Sequence, residues 1–239
     1  MKHRSYVGPK FEYDLMGGRQ FTLLFNLGLR EDHKLLDFGC GSLRAGRLFI
    51  PYLLPGNYYG IEPHKWLIDA AIKDEIGNDI IEIKKPHFKY NDDFLNSFKI
   101  KFDFIIAQSI FSHTTFPLFK KSIFNLYESL KTNGLLCFTI SIDLISKKEI
   151  NTETEEKWTY PETSTFYLND ILEFTNKIGY CTDIEGYHSS QRWFIMSNSK
   201  EKIDLIIENK ANLIDLPLKE KTLWKNSKLK FRKFNNIVI

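Results

Sequence analysis

Apolar positions along the chain come in short runs broken by glycine, proline and charged clusters. The runs at 34–38, 58–61, 87–90, 102–106, 135–140, 180–187 and 192–197 predict strands. Between them apolar residues recur every three or four positions. Phe21, Leu23, Leu24 and Leu27 predict a helix closed by Gly28, and 66–76 predicts a second ending near Gly77. Phe119, Ile123, Leu126, Tyr127 and Leu130 lie on one face of a helix that starts near Pro117. A further helix runs from a cap at Asn169 to Ile178, with Gly179 ending it. Residues 6–16 mix aromatic and charged side chains without a clear period. Strands alternating with helices predict an α/β domain built on a predominantly parallel sheet.

One stretch, 35–47 (LLDFGCGSLRAGR), concentrates the chemistry. A strand passes into Gly39-Cys40-Gly41 and then into a segment that Ser42 could cap as a helix. That order gathers bare backbone N–H groups and the positive end of a helix at one point, and glycine lets a ligand approach the backbone there. Two glycines alone also describe an ordinary tight turn. Asp37, two residues before Gly39, and Glu62, at the end of the next apolar run, favour the ligand site. A carboxylate at the end of the second strand can accept hydrogen bonds from both ribose hydroxyls of a nucleoside. The dinucleotide fingerprint does not fit, because its third glycine falls at Arg44.

The pattern D-x-G-x-G, together with GCGSLR, Ile50-Pro51-Tyr52-Leu53 and Tyr59-Gly60-Ile61-Glu62, resembles class I S-adenosylmethionine-dependent methyltransferases. The similarity spans residues 17–198 and is strongest with one bacterial branch. It implies a Rossmann-like seven-stranded sheet with the last strand antiparallel and helices on both faces. It implies S-adenosylmethionine as cofactor, held at Asp37, Gly39, Cys40, Gly41, Glu62 and Gln108, with Asp92 or Asp93 reaching the adenine. Cys40 reads as a small filler of that turn. The lead segment, 1–30, is expected over the cofactor site, with Gly17, Gly18 and Gln20 as candidate contacts. The methyltransferase domain is expected at 31–199.

The same resemblance narrows the acceptor. Base-N-methylating enzymes carry N/D-P-P-Y/F after the fourth strand, where this chain has Ala107-Gln108-Ser109-Ile110. There is no Pro-Cys pair of the cytosine-C5 type and no metal-ligand acid of the catechol type, so no metal is expected. What remains is transfer to an oxygen or nitrogen of a small molecule or glycan precursor. The branch includes enzymes of surface-polysaccharide clusters, some acting on capsule phosphoramidates. A hydroxyl acceptor benefits from a general base, and His113 and then His188 are the candidates. The polar stretch 143–166 reads as a lid or insertion, and its Trp158 and Tyr160, with Tyr187 and Gln191, are candidates for the acceptor pocket.

Composition adds bounds. At 239 residues and 43% hydrophobic content the chain can bury a sizeable core. No apolar run approaches the roughly 20 residues of a membrane span, and the basic N-terminus leads into no signal core, so a cytoplasmic protein is expected. Three scattered cysteines give neither a disulfide framework nor a zinc site. The net charge of +3 is uneven: residues 200–239 hold ten Lys/Arg and five Asp/Glu, leaving 23 against 25 elsewhere. A nucleic-acid enzyme would carry its basic patch on the catalytic domain, so nucleic acid is not the expected partner. The basic extension could pair with a second subunit. Two rivals stay open at this point: an RNA or protein methyltransferase, and a non-catalytic S-adenosylmethionine-binding subunit.

Overall fold

The computed structural model describes residues 2–143, 154–184 and 191–210. Its centre is strand β1 (Leu35–Phe38), whose four residues are all buried. Leu35 packs into one apolar cluster and Leu36 into another, so the strand is covered on both faces. β4 (Phe102–Ala107), β5 (Leu130–Asp143) and β8 (Arg192–Ser197) alternate in the same way. Phe104, Leu135, Cys137, Trp193 and Ile195 face the first cluster, and Ile105, Leu136, Phe138, Phe194 and Met196 face the second.

The sheet order is β3-β2-β1-β4-β5-β8-β7, with β2 at Tyr58–Ile61, β3 at His87–Lys89 and β7 at Tyr180–Ile184. β1 to β5 pair in parallel, and β8 enters antiparallel between β5 and β7. Phe138 and Phe194, register partners across β5 and β8, stack with ring centroids 5.2 Å apart. This is the Rossmann-like arrangement the sequence pattern predicts, with one addition. A short strand, β6 (Thr165–Tyr167), pairs in parallel with the end of β5.

Helices cover both faces. Leu23 of α2 (Tyr13–Asn26), Phe49 of α3 (Gly46–Tyr52), Ile68 of α4 (Lys65–Ala71) and Ile203 of α8 (Lys200–Glu208) fill the first cluster. Phe119 and Ile123 of α6 (Phe116–Glu128) and Ile171 of α7 (Leu168–Ile178) fill the second. α1 (Lys2–Tyr6) precedes them, and α5 (Asn78–Lys84) follows a π-helical turn at Ile72–Ile76.

Several boundaries differ from the sequence expectations. α2 starts at Tyr13, inside the stretch without period, because Tyr13, Met16, Leu23 and Leu24 are its buried side. Leu130 belongs to β5 rather than α6, since its backbone pairs with Phe102. Asn169 lies within the first turn of α7, and Tyr167 occupies the cap position with no side-chain bond. Ser42 does not cap α3 either: the helix begins at Gly46. Leu43 takes a left-handed conformation and is fully buried, so the chain turns on before it can coil. Tyr187 and His188, the segment 144–153 and the extension from 211 onward lie outside the described residues.

Candidate functional site

Three parallel strands end at one level. The β1–β2 register places Phe38 against Ile61, so Gly39 stands beside Glu62. The β1–β4 register places Asp37 against Ile106, so two steps on Gly39 stands level with Gln108. The C-terminal edge of such a sheet is where α/β folds bind ligands.

The turn between β1 and α3 is built from this edge. The Gly39 and Cys40 N–H groups both donate to the Ile61 carbonyl, at 2.9 and 3.0 Å. Gly39 and Gly41 have φ of +74° and +54°, a region glycine enters without penalty. A Cβ at Gly39 would strike the Ile110 side chain, and one at Gly41 would strike Val7. The Gly41 N–H, freed by this geometry, donates to Glu62 Oε2 at 3.1 Å. The His64 N–H donates to Oε1 at 2.9 Å, and the His64 ring Nδ1 lies 3.0 Å from the same oxygen. Glu62 is 7% exposed, so a buried carboxylate is aimed by the turn and by the residue two positions on.

Asp37 has a different partner. The Tyr58 hydroxyl donates to its Oδ2 at 2.7 Å. Burial pushes the Asp37 carboxyl up to about 6; the Tyr58 hydrogen bond and Arg44 pull it down, and Glu62 adds to the rise. Asp37 therefore shapes the site from below, through Tyr58, rather than lining it openly. Burial likewise holds the Cys40 thiol well above its ordinary range, so it is a neutral filler.

The raised Asp37 carboxyl has a pH signature. Between pH 4 and 6 the folded chain keeps a proton that the unfolded chain releases. Its contribution to stability is thus fully present below about pH 4 and lost as pH rises through 6, a difference of about 3 kcal/mol. Asp37→Asn keeps an acceptor for Tyr58 without the buried charge. The variant should be more stable than the wild type in urea unfolding at pH 7 by about 1–3 kcal/mol. That advantage should vanish at pH 4. A variant destabilised at pH 7 would show that the carboxylate is worth more than its burial costs.

Gln108 is 7% exposed, and both its amide atoms are buried with no partner among the described residues. Such a group is costly unless something else bonds it. The next residues are braced from the side. The Ser109 N–H donates to Thr139 Oγ1 at 2.7 Å; Gln191 Oε1 accepts from Thr139 Oγ1 and Ser109 Oγ, and Gln191 Nε2 donates to Ser112 Oγ. Gln191, expected in the acceptor pocket, is thus a brace for the segment that carries His113.

The two acids after β3 separate. Asp93 Oδ1 accepts from Asn91 Nδ2 and from the Leu95 N–H, so it closes its own loop. Asp92 is exposed and has no partner among the described residues.

The N-terminal segment lies across the glycine turn. Arg44 donates to the Val7 carbonyl at 2.9 Å, and Tyr13 on α2 donates to the Ser42 carbonyl at 2.6 Å. Arg4 grips Glu75 through two bonds of 2.6 Å and reaches Asp14 at 3.0 Å. The Tyr6 hydroxyl lies 3.3 Å from His64 Nε2, and its phenol is raised by burial, Tyr160 and Glu62. Gly17 is small because α2 rests on the Arg44 backbone: a Cβ there would meet the Arg44 carbonyl at 2.4 Å. Gly18 faces open space, and Gln20 is buried with its Oε1 unpartnered among the described residues.

The segment 154–164 docks on the residues that follow β4. Thr115 N–H donates to the Lys157 carbonyl, Thr159 N–H to the His113 carbonyl and Ser164 N–H to the Ser112 carbonyl, at 2.9, 2.8 and 2.7 Å. Thr114 and Trp158 form an antiparallel bridge. His113 Nδ1 lies 2.8 Å from the Glu162 carbonyl oxygen. A carbonyl only accepts, so Nδ1 carries a proton, and in the neutral ring Nε2 holds the lone pair. Nε2 has no hydrogen-bond partner among the described residues and is not among the buried atoms lacking one.

Sequence reasoning missed Tyr6, Tyr13, Tyr58 and His64. Tyr58 carried a signal: it sits on the same face of β2 as Gly60, the register partner of Asp37. Among the described residues no group of three His, Cys, Asp or Glu is placed to hold a metal ion, and no helix is long and apolar enough to cross a membrane.

Residues 36–136 match the family described as Methyltransferase domain. No curated protein sequence matches the chain. Several solved structures share the fold. Magnesium protoporphyrin IX methyltransferase from Synechocystis PCC 6803, solved with bound SAH, aligns at TM-score 0.56 and 12% identity over 79% of this chain and 86% of its own. DesVI from Streptomyces venezuelae aligns at 0.57 and 13% over 81% and 95%. An S-adenosylmethionine-dependent methyltransferase from Clostridium acetobutylicum aligns at 0.54 and 11% over 77% and 91%.

Proposed function

We propose that this chain, a methyltransferase that uses S-adenosylmethionine, moves the methyl group to an oxygen or nitrogen of a small molecule or glycan precursor. The observation that carries the reading is Glu62: a buried carboxylate aimed by the Gly41 N–H at the edge where three strands end. The residues present fit the cofactor. Gly39 and Gly41 give the turn its positive φ angles beside Glu62, and Gln108 offers an amide level with Gly39 that has no partner among the described residues. In this reading Glu62 takes the ribose hydroxyls, Asp92 the adenine amino group, and Gly39, Gly41 and Gln108 the remainder. Asp37 and Cys40 support the turn from beneath.

S-adenosylmethionine supplies an electrophilic methyl group on a positively charged sulfur. The chain's own contribution is alignment and one proton transfer. His113 Nε2 accepts the proton of an acceptor hydroxyl, and the Glu162 carbonyl steadies the resulting imidazolium through Nδ1–H. The finer reading takes the acceptor from surface-polysaccharide chemistry, on the strength of the GCGSLR string.

Calorimetric titration with S-adenosylmethionine and, in parallel, with NAD tests the proposal. Micromolar binding of the first and none of the second is expected. NAD binding, or neither, would withdraw the site as assigned.

A further inference from the structure

Half-exposed aromatic rings gather around His113. Trp158 is 42% exposed and Tyr160 51%, although the backbone between Lys157 and Thr159 is bonded to residues 113–115. Trp158 stands at the bridge to Thr114, and Tyr160 in the turn that the Glu162 N–H closes on the Thr159 carbonyl. Their rings are nearly parallel, at 17°, with centroids 6.2 Å apart. That gap is narrower than twice an aromatic contact distance of about 3.5 Å, so no guest fits between them and their outer faces are what they offer. His113 packs against both, at 5.5 and 5.1 Å, and Phe94 closes the Trp158 side at 5.4 Å. Phe94 also touches Phe38, the last residue of β1, which ties the group to the edge holding Gly39. A folded chain that fixes a backbone so firmly yet leaves two large aromatic side chains about half in water presents a surface for something apolar and flat.

We infer that Trp158, Tyr160 and His113 seat the acceptor as an uncharged ring carrying a hydroxyl, the ring stacked on the aromatic faces and the hydroxyl donating to His113 Nε2. This rests on the methyltransferase reading of the site. A box of aromatic faces would enclose an organic cation, but near-parallel faces form a step, which suits the flat side of a ring. A sugar ring meets the step with the partly positive hydrogens of its C–H bonds, and a phenol meets it by offset stacking. In either, the hydroxyl supplies the donor that a neutral Nε2 requires.

The test uses the full chain saturated with SAH. Four probes are followed by saturation-transfer NMR and Trp fluorescence: a set of methyl pyranosides (gluco, galacto, manno and N-acetylglucosamine forms), 4-hydroxybenzyl alcohol, tetramethylammonium and inorganic phosphate. Binding of a pyranoside or of the phenol is expected, and which of them binds names the source of the ring. Trp158→Ala and Tyr160→Ala should each weaken it roughly tenfold, the scale of one lost stacking contact. Trp158→Phe should retain part of the affinity. SAH affinity, measured calorimetrically on each variant, should stay within about twofold, which also reports that the variant is folded. Binding of tetramethylammonium or phosphate alone, or of no probe while SAH binds normally, overturns the ring seat and leaves the methyltransferase reading standing. Failure of SAH to bind the wild type overturns that reading itself.

Discussion

Glu62→Ala should weaken S-adenosylmethionine binding about 100-fold, some 3 kcal/mol, with the chain still folded. The size follows from the kind of contact. A buried carboxylate that accepts from ligand hydroxyls makes charge-assisted bonds, each stronger than a neutral pair. Glu62 already accepts from the Gly41 and His64 N–H groups and contacts the His64 ring. Two carboxylate oxygens offer about four lone-pair positions. The backbone donors take one position on each oxygen, and the His64 ring, half in water, is the partner a ligand can displace. Glu62→Gln separates the roles. It keeps one acceptor oxygen but loses the charge, so calorimetry should show a loss near tenfold. If the alanine variant binds the cofactor as tightly as the wild type, Glu62 serves only the turn, and the ribose contact must lie elsewhere.

Much of this site was legible from the chain, for a physical reason. β1, β2 and β4 are covered on both faces, so they read as largely apolar runs, and the residue that follows each run must stand at the sheet edge. Gly39, Glu62 and Gln108 could be placed by counting, and Asp37 by its place two residues before Gly39. The helix ends could not. Ser42 and Asn169 have the chemistry of caps, but their positions are set by packing: Leu43 goes into the core, and Tyr167 is already paired with Asp143 in the sheet. α5 escaped because Gly77 reads as a stop and no residue of that helix is fully buried. Asp92 and Asp93 differ only in which one the loop uses for itself, a matter of local hydrogen bonding that residue type does not encode. The Tyr58–Asp37 pair and the docking of 154–164 on 111–115 are contacts between distant segments. A polar stretch rich in Glu and Thr predicts a long connection; nothing in it announces that Trp158 will bridge to Thr114.

His113→Ala should lower kcat by about 10²- to 10³-fold with the cofactor affinity unchanged, the range for removing a positioned general base. The argument turns on the tautomer. The bond to the Glu162 carbonyl fixes the proton on Nδ1 and leaves Nε2 as the acceptor, the arrangement a base needs before it meets a hydroxyl. The same bond also holds 154–164 against the segment after β4, so a purely structural role predicts a loss too. His113→Asn distinguishes them. Its amide nitrogen can take the place of Nδ1 and donate to the Glu162 carbonyl, yet the side chain has no basic nitrogen. A base role makes the asparagine variant as slow as the alanine variant; a tethering role returns it to near wild-type turnover. Added imidazole should partly restore His113→Ala in the first case and do nothing in the second. An acceptor with a more acidic hydroxyl should shrink the deficit, because less of the barrier then depends on removing its proton.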